Sequence, residues 1–155
     1  MKPLTETQIR TSFINTTKGE AKRLNLPDLT TQPWDDLDFL GWRDPRAPDR
    51  SYLVTEELGI AFRFPSKQRG FLHRSMCSLC FTTHPGNGVS LLVARKGRAG
   101  DSVGLHMCTD LSCPLYVRGL KQPAPGGRFE ESLSVDQQAE RMMSKLDEFV
   151  GKLRG

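Results

Sequence analysis

Four cysteines are the residues of this 155-residue chain whose type and spacing most clearly predict chemistry. Cys77 and Cys80 form a C-x-x-C pair, Cys108 and Cys113 form a C-x4-C pair, and 27 residues separate the two pairs. A C-x-x-C turn directs two thiolates to one point, and two such pairs complete a tetrahedron around Zn²⁺. Because four sulfurs fill that shell, no position remains for water or substrate. The spacing therefore predicts one structural zinc ion.

Other uses of the cysteines fit the sequence less well. A lone C-x-x-C can be a redox pair, but one tetrahedron accounts for all four thiols. A zinc deaminase would carry a His-x-Glu element before its cysteine pair, and this sequence has none. His84 and His106 lie close enough along the chain to replace one ligand, although the all-cysteine set is complete without them.

The sequence indicates a cytoplasmic protein without a membrane segment. The N-terminus lacks the apolar core of a secretory signal, and the best apolar run, 89–94, has six residues. A membrane span needs about 20 such residues. In a reducing compartment, close cysteine pairs indicate a metal site, whereas in a secreted chain they would indicate two disulfides.

The net charge of +4 conceals strong segregation along the chain. Residues 28–62 carry −5, whereas residues 63–121, which contain the cysteines, carry +7. Two or three basic side chains could neutralise the formal −2 charge of a zinc tetrathiolate, which leaves most of them unexplained. Such a basic segment favours an acidic partner, either nucleic acid or an acidic protein surface.

Helices are predicted at both ends of the chain and short strands between them. Thr5 and Gln8 have capping-box spacing ahead of a helix predicted over 5–25, and Ser134 and Gln137 repeat that spacing before an amphipathic C-terminal helix.

Alternating apolar residues predict a hairpin from 52–55 and 60–64, and further strands at 89–95 and 105–108. Residues 27–50 are rich in proline and acidic residues but contain large aromatic residues, so we expect an ordered segment that wraps the core. The predicted fold class is α+β, with a small, mostly antiparallel sheet flanked by an N-terminal and a C-terminal helix.

This order of features resembles the elongation factor G-binding proteins, the family of the FusB-type fusidic acid resistance proteins. The resemblance is carried by Gly70-Phe71 ahead of the first cysteine pair, by the strand 89–94, and by His106-Met107-Cys108-Thr109-Asp110. It covers residues 51–121 most closely. It implies that the zinc ion lies in a treble-clef module. It also implies a binding protein of translation, without covalent chemistry, that docks on elongation factor G and promotes its release from the ribosome.

We divide the chain into three segments that are expected to form one compact, monomeric domain. Residues 1–50 are the N-terminal helix and the acidic Trp-containing wrapping segment, 51–121 the zinc-binding treble-clef module, and 122–155 a linker and the C-terminal helix. Partner contacts are expected from the basic residues of the module, from one histidine, and from an aromatic residue after the Gly-rich linker, because arginine and aromatic residues dominate interface hot spots. They are Arg95, Lys96, Arg98, His106, Arg118, Lys121 and Phe129.

Two other classes of function remain as alternatives. Direct binding to RNA or the ribosome would also use a basic zinc module, although the stretch from Arg95 to His106 contains no aromatic residue to stack on bases. An enzyme is disfavoured, since the three histidines all lie in the zinc segment and no nucleophile motif accompanies them.

Overall fold

Seven strands form two antiparallel sheets in the computed structural model, which describes residues 1–65, 71–97 and 100–155, with only the backbone of 71–73. The strands are β1 Leu40–Arg43, β2 Arg50–Val54, β3 Gly59–Arg63, β4 Phe71–Met76, β5 Thr83–Gly86, β6 Val89–Arg95 and β7 Ser102–Cys108. The helices are α1 Glu6–Ser12, α2 Lys18–Arg23, α3 Cys113–Val117 and α4 Val135–Arg154. One sheet has the order β1-β2-β3-β6-β7 and the other pairs β4 with β5. The predicted α+β class is confirmed.

The predicted hairpin and strand lie where the alternation placed them. β2 and β3 pair from Arg50 opposite Arg63 to Val54 opposite Gly59, and β6 has the predicted bounds. β7 begins three residues before the predicted strand, because Ser102–Cys108 pairs along its whole length with β6. β1, β4, β5 and α3 were not predicted.

The single N-terminal helix predicted over 5–25 is wrong: the segment forms two short helices. Thr5 and Gln8 cap α1 as expected, but the chain leaves the helix at Phe13 and runs beside β3. There the side-chain amide of Asn15 donates to the Ala61 carbonyl and its oxygen accepts from the Ala61 amide, both at 2.9 Å. Thr17 then caps α2.

The five-stranded sheet has a hydrophobic cluster on each face. Residues alternate between the faces along each strand: Tyr52 and Val54 face the N-terminal helices, while Leu53 faces α4. The helix α4, whose Ser134–Gln137 capping box is confirmed, covers the second face. Within the described residues, no helix is long and apolar enough to cross a bilayer. The sheet therefore joins the N-terminal segment to the C-terminal helix.

Gly41 in β1 marks the closest approach between the first strand and the loop after β7. A Cβ atom built there would lie 2.4 Å from the Cβ of Leu111 and 3.0 Å from its carbonyl oxygen. We expect Gly41→Ala to lower the free energy of unfolding by about 1–3 kcal/mol through overpacking, measured by urea denaturation. Gly151→Ala is the matched control. Its added methyl meets nothing within 4 Å, and alanine in a helix should raise stability by about 0.5–1 kcal/mol. Equal effects of the two changes would contradict this account.

Candidate metal centre

The four cysteines come from separate elements and meet in the interior. Cys77 and Cys80 lie in the turn between β4 and β5, Cys108 is the last residue of β7, and Cys113 is the first of α3. All four are buried. The site thus brings together a hairpin turn, the end of a strand and the first turn of a helix.

The distances between the sulfur atoms fit a tetrahedral zinc ion. The four Sγ atoms all lie within 4.8 Å of one another. Cys77 Sγ is 3.7 Å from Cys113 Sγ, and Cys80 Sγ is 3.5 Å from Cys108 Sγ. With Zn–S bonds of about 2.3 Å, tetrahedral sulfurs are separated by about 3.8 Å. The four cysteines therefore form a zinc site, and the predicted cofactor, one structural Zn²⁺, is confirmed.

The turns that carry the ligands have unusual backbone conformations. Phe81, directly after the first pair, has φ = 60°, and Leu111, within the second pair, has φ = 55°. Left-handed backbone costs a non-glycine residue about 1–2 kcal/mol. The Leu79 amide, 3.3 Å from Cys77 Sγ, donates to that sulfur. Hydrogen bonds from backbone amides to the thiolates, together with the bonds between the thiolates and the metal, offset the local strain.

The four thiols lie so close together that each affects the ionisation of the others. Burial raises the pKa of Cys113 well above the usual thiol value. Hydrogen bonding by Cys108, Cys113 and Cys77 lowers the pKa of Cys80. Four adjacent buried thiolates require a compensating charge, which Zn²⁺ supplies. Because all four ligands must lose their protons, zinc affinity falls as the pH falls.

Two buried polar side chains contact the sulfur atoms directly. His84 Nε2 lies 3.3 Å from Cys108 Sγ, and Thr82 Oγ1 lies 3.2 Å from Cys80 Sγ. Burial lowers the pKa of His84, which favours its neutral form. Since a thiolate only accepts hydrogen bonds, His84 donates from Nε2 and Thr82 donates its hydroxyl hydrogen when the metal is bound. His84 is therefore an orienting neighbour of the zinc ligands and does not take the place of one.

A second layer of contacts holds His84 in place. The ring of Tyr116 meets the His84 ring edge-on, with centroids 4.9 Å apart. Tyr116 donates its hydroxyl hydrogen to Asp110 Oδ2 at 2.8 Å, and the Lys121 ammonium donates to the same oxygen at 2.8 Å. Burial, followed by the hydrogen bond to Asp110, raises the pKa of Tyr116. The phenol thus stays protonated and keeps donating.

Arg128 joins the linker before α4 to the first cysteine turn. Its guanidinium donates to the Cys80 carbonyl at 3.1 Å, to Thr82 Oγ1 at 3.0 Å and to Gln138 Oε1 at 2.5 Å. The zinc turn, the linker and the first turn of α4 are thereby connected. No sequence pattern marks Arg128, since the partners of its side chain lie at least ten residues away.

The structure separates the seven expected partner contacts into two groups. Arg118 forms a bidentate ion pair with Asp38, at 2.7 and 3.1 Å. Arg95 lies 3.3 Å from Glu20, and Lys121 is held by Asp110. These three side chains have intramolecular roles.

The remaining expected contacts are His106, Lys96, Phe129 and Arg98. His106 is exposed on β7, Lys96 is half-exposed after β6, and Phe129 is 58% exposed. Arg98 lies outside the described residues. Leu120, which sequence analysis did not select, is 59% exposed just after α3. An apolar side chain in a polar stretch gives little signal until its exposure is known.

The chain matches the protein family described as "FBP C-terminal treble-clef zinc-finger". The match spans residues 8–153. No curated protein matches the chain.

Proposed function

This chain belongs to the FBP C-terminal treble-clef zinc-finger family, and on that premise we propose that it binds elongation factor G and promotes release of the factor from the ribosome. The observation that carries the proposal is the family match over nearly the whole chain. A protein that acts on elongation factor G would work in the cytoplasm. The resemblance to FusB-type proteins supports the link to translation.

The zinc site supports a binding role without covalent chemistry. Its four sulfurs are buried and close together, so a tetrahedral ion has no open position for a substrate or an activated water. A catalytic zinc ion keeps such a position. The metal is therefore proposed to hold the shape of the docking surface.

We propose that the docking surface is centred on Phe129 and Leu120, with Lys96 and His106 as polar contacts. Phe129 and Leu120 are two of only four large apolar side chains that are strongly exposed in the described residues. Aromatic side chains in the centre of an interface often carry much of its binding energy. Arg118 is less suited, because a partner would first have to displace Asp38 from a short, half-buried ion pair.

Calorimetric titration of the zinc-loaded protein into purified elongation factor G tests the proposal. We expect one-to-one binding that persists at moderate salt, because a hot-spot interface depends less on ionic strength than phosphate binding does. Phe129→Ala should weaken the affinity at least tenfold, which corresponds to about 1.4 kcal/mol.

Lys152→Ala, an exposed change near the end of α4, serves as the control and should leave the affinity unchanged. The absence of binding heat at low and moderate salt would refute the proposal. A second assay would follow release of elongation factor G from ribosomes stalled by fusidic acid, using sedimentation. Binding without accelerated release would support elongation factor G as the partner and would contradict the proposed release activity.

A further inference from the structure

A groove of about 340 Å³ lies between α2 and the face of the large sheet, away from α4. Tyr52, Ala61 and Val93 line it from three neighbouring strands, and Glu20 and Arg23 line it from α2. No cysteine or other zinc-site residue lines the groove. It is therefore separate from the metal centre.

Four arginines line this groove, and two of them are placed at a cost in stability. They are Arg23, Arg50, Arg63 and Arg95. Arg50 on β2 is paired directly with Arg63 on β3, and like charges at opposed positions of an antiparallel pair destabilise a sheet. An arrangement that opposes folding is expected where an anionic ligand uses it.

The acidic side chains of the groove do not neutralise these arginines. Asp44 is buried and accepts hydrogen bonds from the Arg46 amide at 2.9 Å and from Asn25 Nδ2 at 3.0 Å. Its carboxylate therefore stabilises the turn that follows β1. Glu20 contacts Arg95 at 3.3 Å, and both side chains are partly exposed. Exposed pairs of this kind contribute little and can exchange with a ligand.

Within the part of the chain that the structure describes, the remaining three arginines have no ion-pair partner. Among the described residues, no carboxylate lies within 4.0 Å of a guanidinium nitrogen of Arg23, Arg50 or Arg63. The undescribed positions 66–70 and 98–99 contain no Asp or Glu. The groove therefore carries a surplus of positive charge.

We propose that this arginine groove binds consecutive phosphates of an RNA strand. A guanidinium fork matches the geometry of phosphate oxygens. Arg50 and Arg63 lie on adjacent strands about 4.8 Å apart, and Arg95 lies on the next strand. The charges thus form a row, which suits a chain of phosphates better than a single anion. Tyr52 is buried, so no base can stack on it and binding is independent of sequence.

Fluorescence anisotropy with a labelled 15-nucleotide single-stranded RNA tests the proposal on the full, zinc-loaded chain. We expect saturable binding at 50 mM KCl that weakens log-linearly with salt. Each neutralised phosphate should contribute about 0.7 to the slope for a single strand. Arg50→Gln with Arg63→Gln should weaken binding at least tenfold at 50 mM KCl and reduce the slope by about 1.4.

Lys145→Gln with Lys152→Gln is the control, because it removes the same charge from exposed positions of α4, on the opposite side of the sheet. It should change the affinity less than threefold. The melting temperature of the arginine double variant should stay equal or rise, since a like-charge pair is removed. Equal losses in the two double variants, or no RNA binding by the wild-type protein at 50 mM KCl, would overturn the proposal.

Competition with inorganic phosphate and diphosphate separates a strand from a single anion. Displacement of the RNA by either anion at 1 mM would show a site for one free phosphate group and would overturn the assignment to RNA. Titration of elongation factor G into the arginine double variant is independent of these outcomes. Retained binding there, with RNA binding lost, would separate the groove from the proposed docking surface.

Discussion

Loss of the zinc ion is expected to unfold the segment that contains the cysteines and, with it, the rest of the domain that shares its sheet. The ligands lie on the β4–β5 turn, at the end of β7 and at the start of α3, and the metal is the point at which these short elements are joined. Apparent zinc-binding free energies in small structural sites are about 10–16 kcal/mol at pH 7. The net stability of a domain is only about 5–15 kcal/mol, so the metal decides whether this region folds.

Substitution of one ligand measures this effect directly. The wild-type protein should hold one zinc ion per chain by atomic emission, and Cys113→Ser should hold less than about 0.1, because a serine hydroxyl cannot replace a thiolate as a tight ligand. Cys113→Ser should also lose its cooperative thermal transition. Ser78→Ala, an exposed change inside the same C-x-x-C turn as Cys77, is the control and should keep the metal. Full stability and one zinc ion in Cys113→Ser would contradict a four-cysteine structural site.

Acid should reproduce the loss of metal in the unmutated protein. The pKa of Cys113 is raised by burial, so protons compete with zinc for this thiolate. Lowering the pH from 7 to 5 is therefore expected to release zinc to a chelating dye, and returning to pH 7 with added zinc should restore the folded signal. Retention of zinc at pH 5 in the presence of the dye would show that protons do not compete effectively.

The site was predictable from the sequence because its ligands have a short-range pattern. Two cysteine pairs predict the metal whatever the surrounding fold, and capping boxes at Thr5 and Ser134 mark helix starts through contacts three residues apart. β4 and β5 were not predictable in the same way. Their sequences, such as Thr83-His84-Pro85-Gly86, have weak strand propensity and are held around the metal-binding turn.

Long-range contacts account for the other differences. The N-terminal helix breaks because Asn15 pairs with the backbone of Ala61, 46 residues away. Arg118 pairs with Asp38, 80 residues away, and its place in the basic segment did not predict that contact. A single sequence shows which side chains are charged but not which of them form ion pairs in the fold. The arginine groove has the same origin, since Arg50 and Arg63 become neighbours only through the hairpin register.

Phe149→Ala in α4 is expected to destabilise both faces of the sheet together. Phe149 is buried and stacks on Phe62 of β3, with ring centroids 5.8 Å apart. Truncation of a buried phenylalanine costs about 3–5 kcal/mol. Since the sheet is shared by the two hydrophobic clusters, we propose that segments 1–50, 51–121 and 122–155 unfold as one cooperative domain.

Urea unfolding followed by two probes tests this proposal. Tryptophan fluorescence reports on Trp34 and Trp42 in the N-terminal segment, and a chelating dye reports zinc release from the module. The midpoints reported by the two probes should coincide in the wild-type protein, and in Phe149→Ala both should move to the same lower urea concentration. Val135→Ala, at an exposed position of the same helix, should change the free energy of unfolding by no more than about 0.5 kcal/mol with either probe. A Phe149→Ala variant that releases zinc early but keeps its tryptophan transition would show two units. The shared sheet would then transmit no cooperativity between its faces.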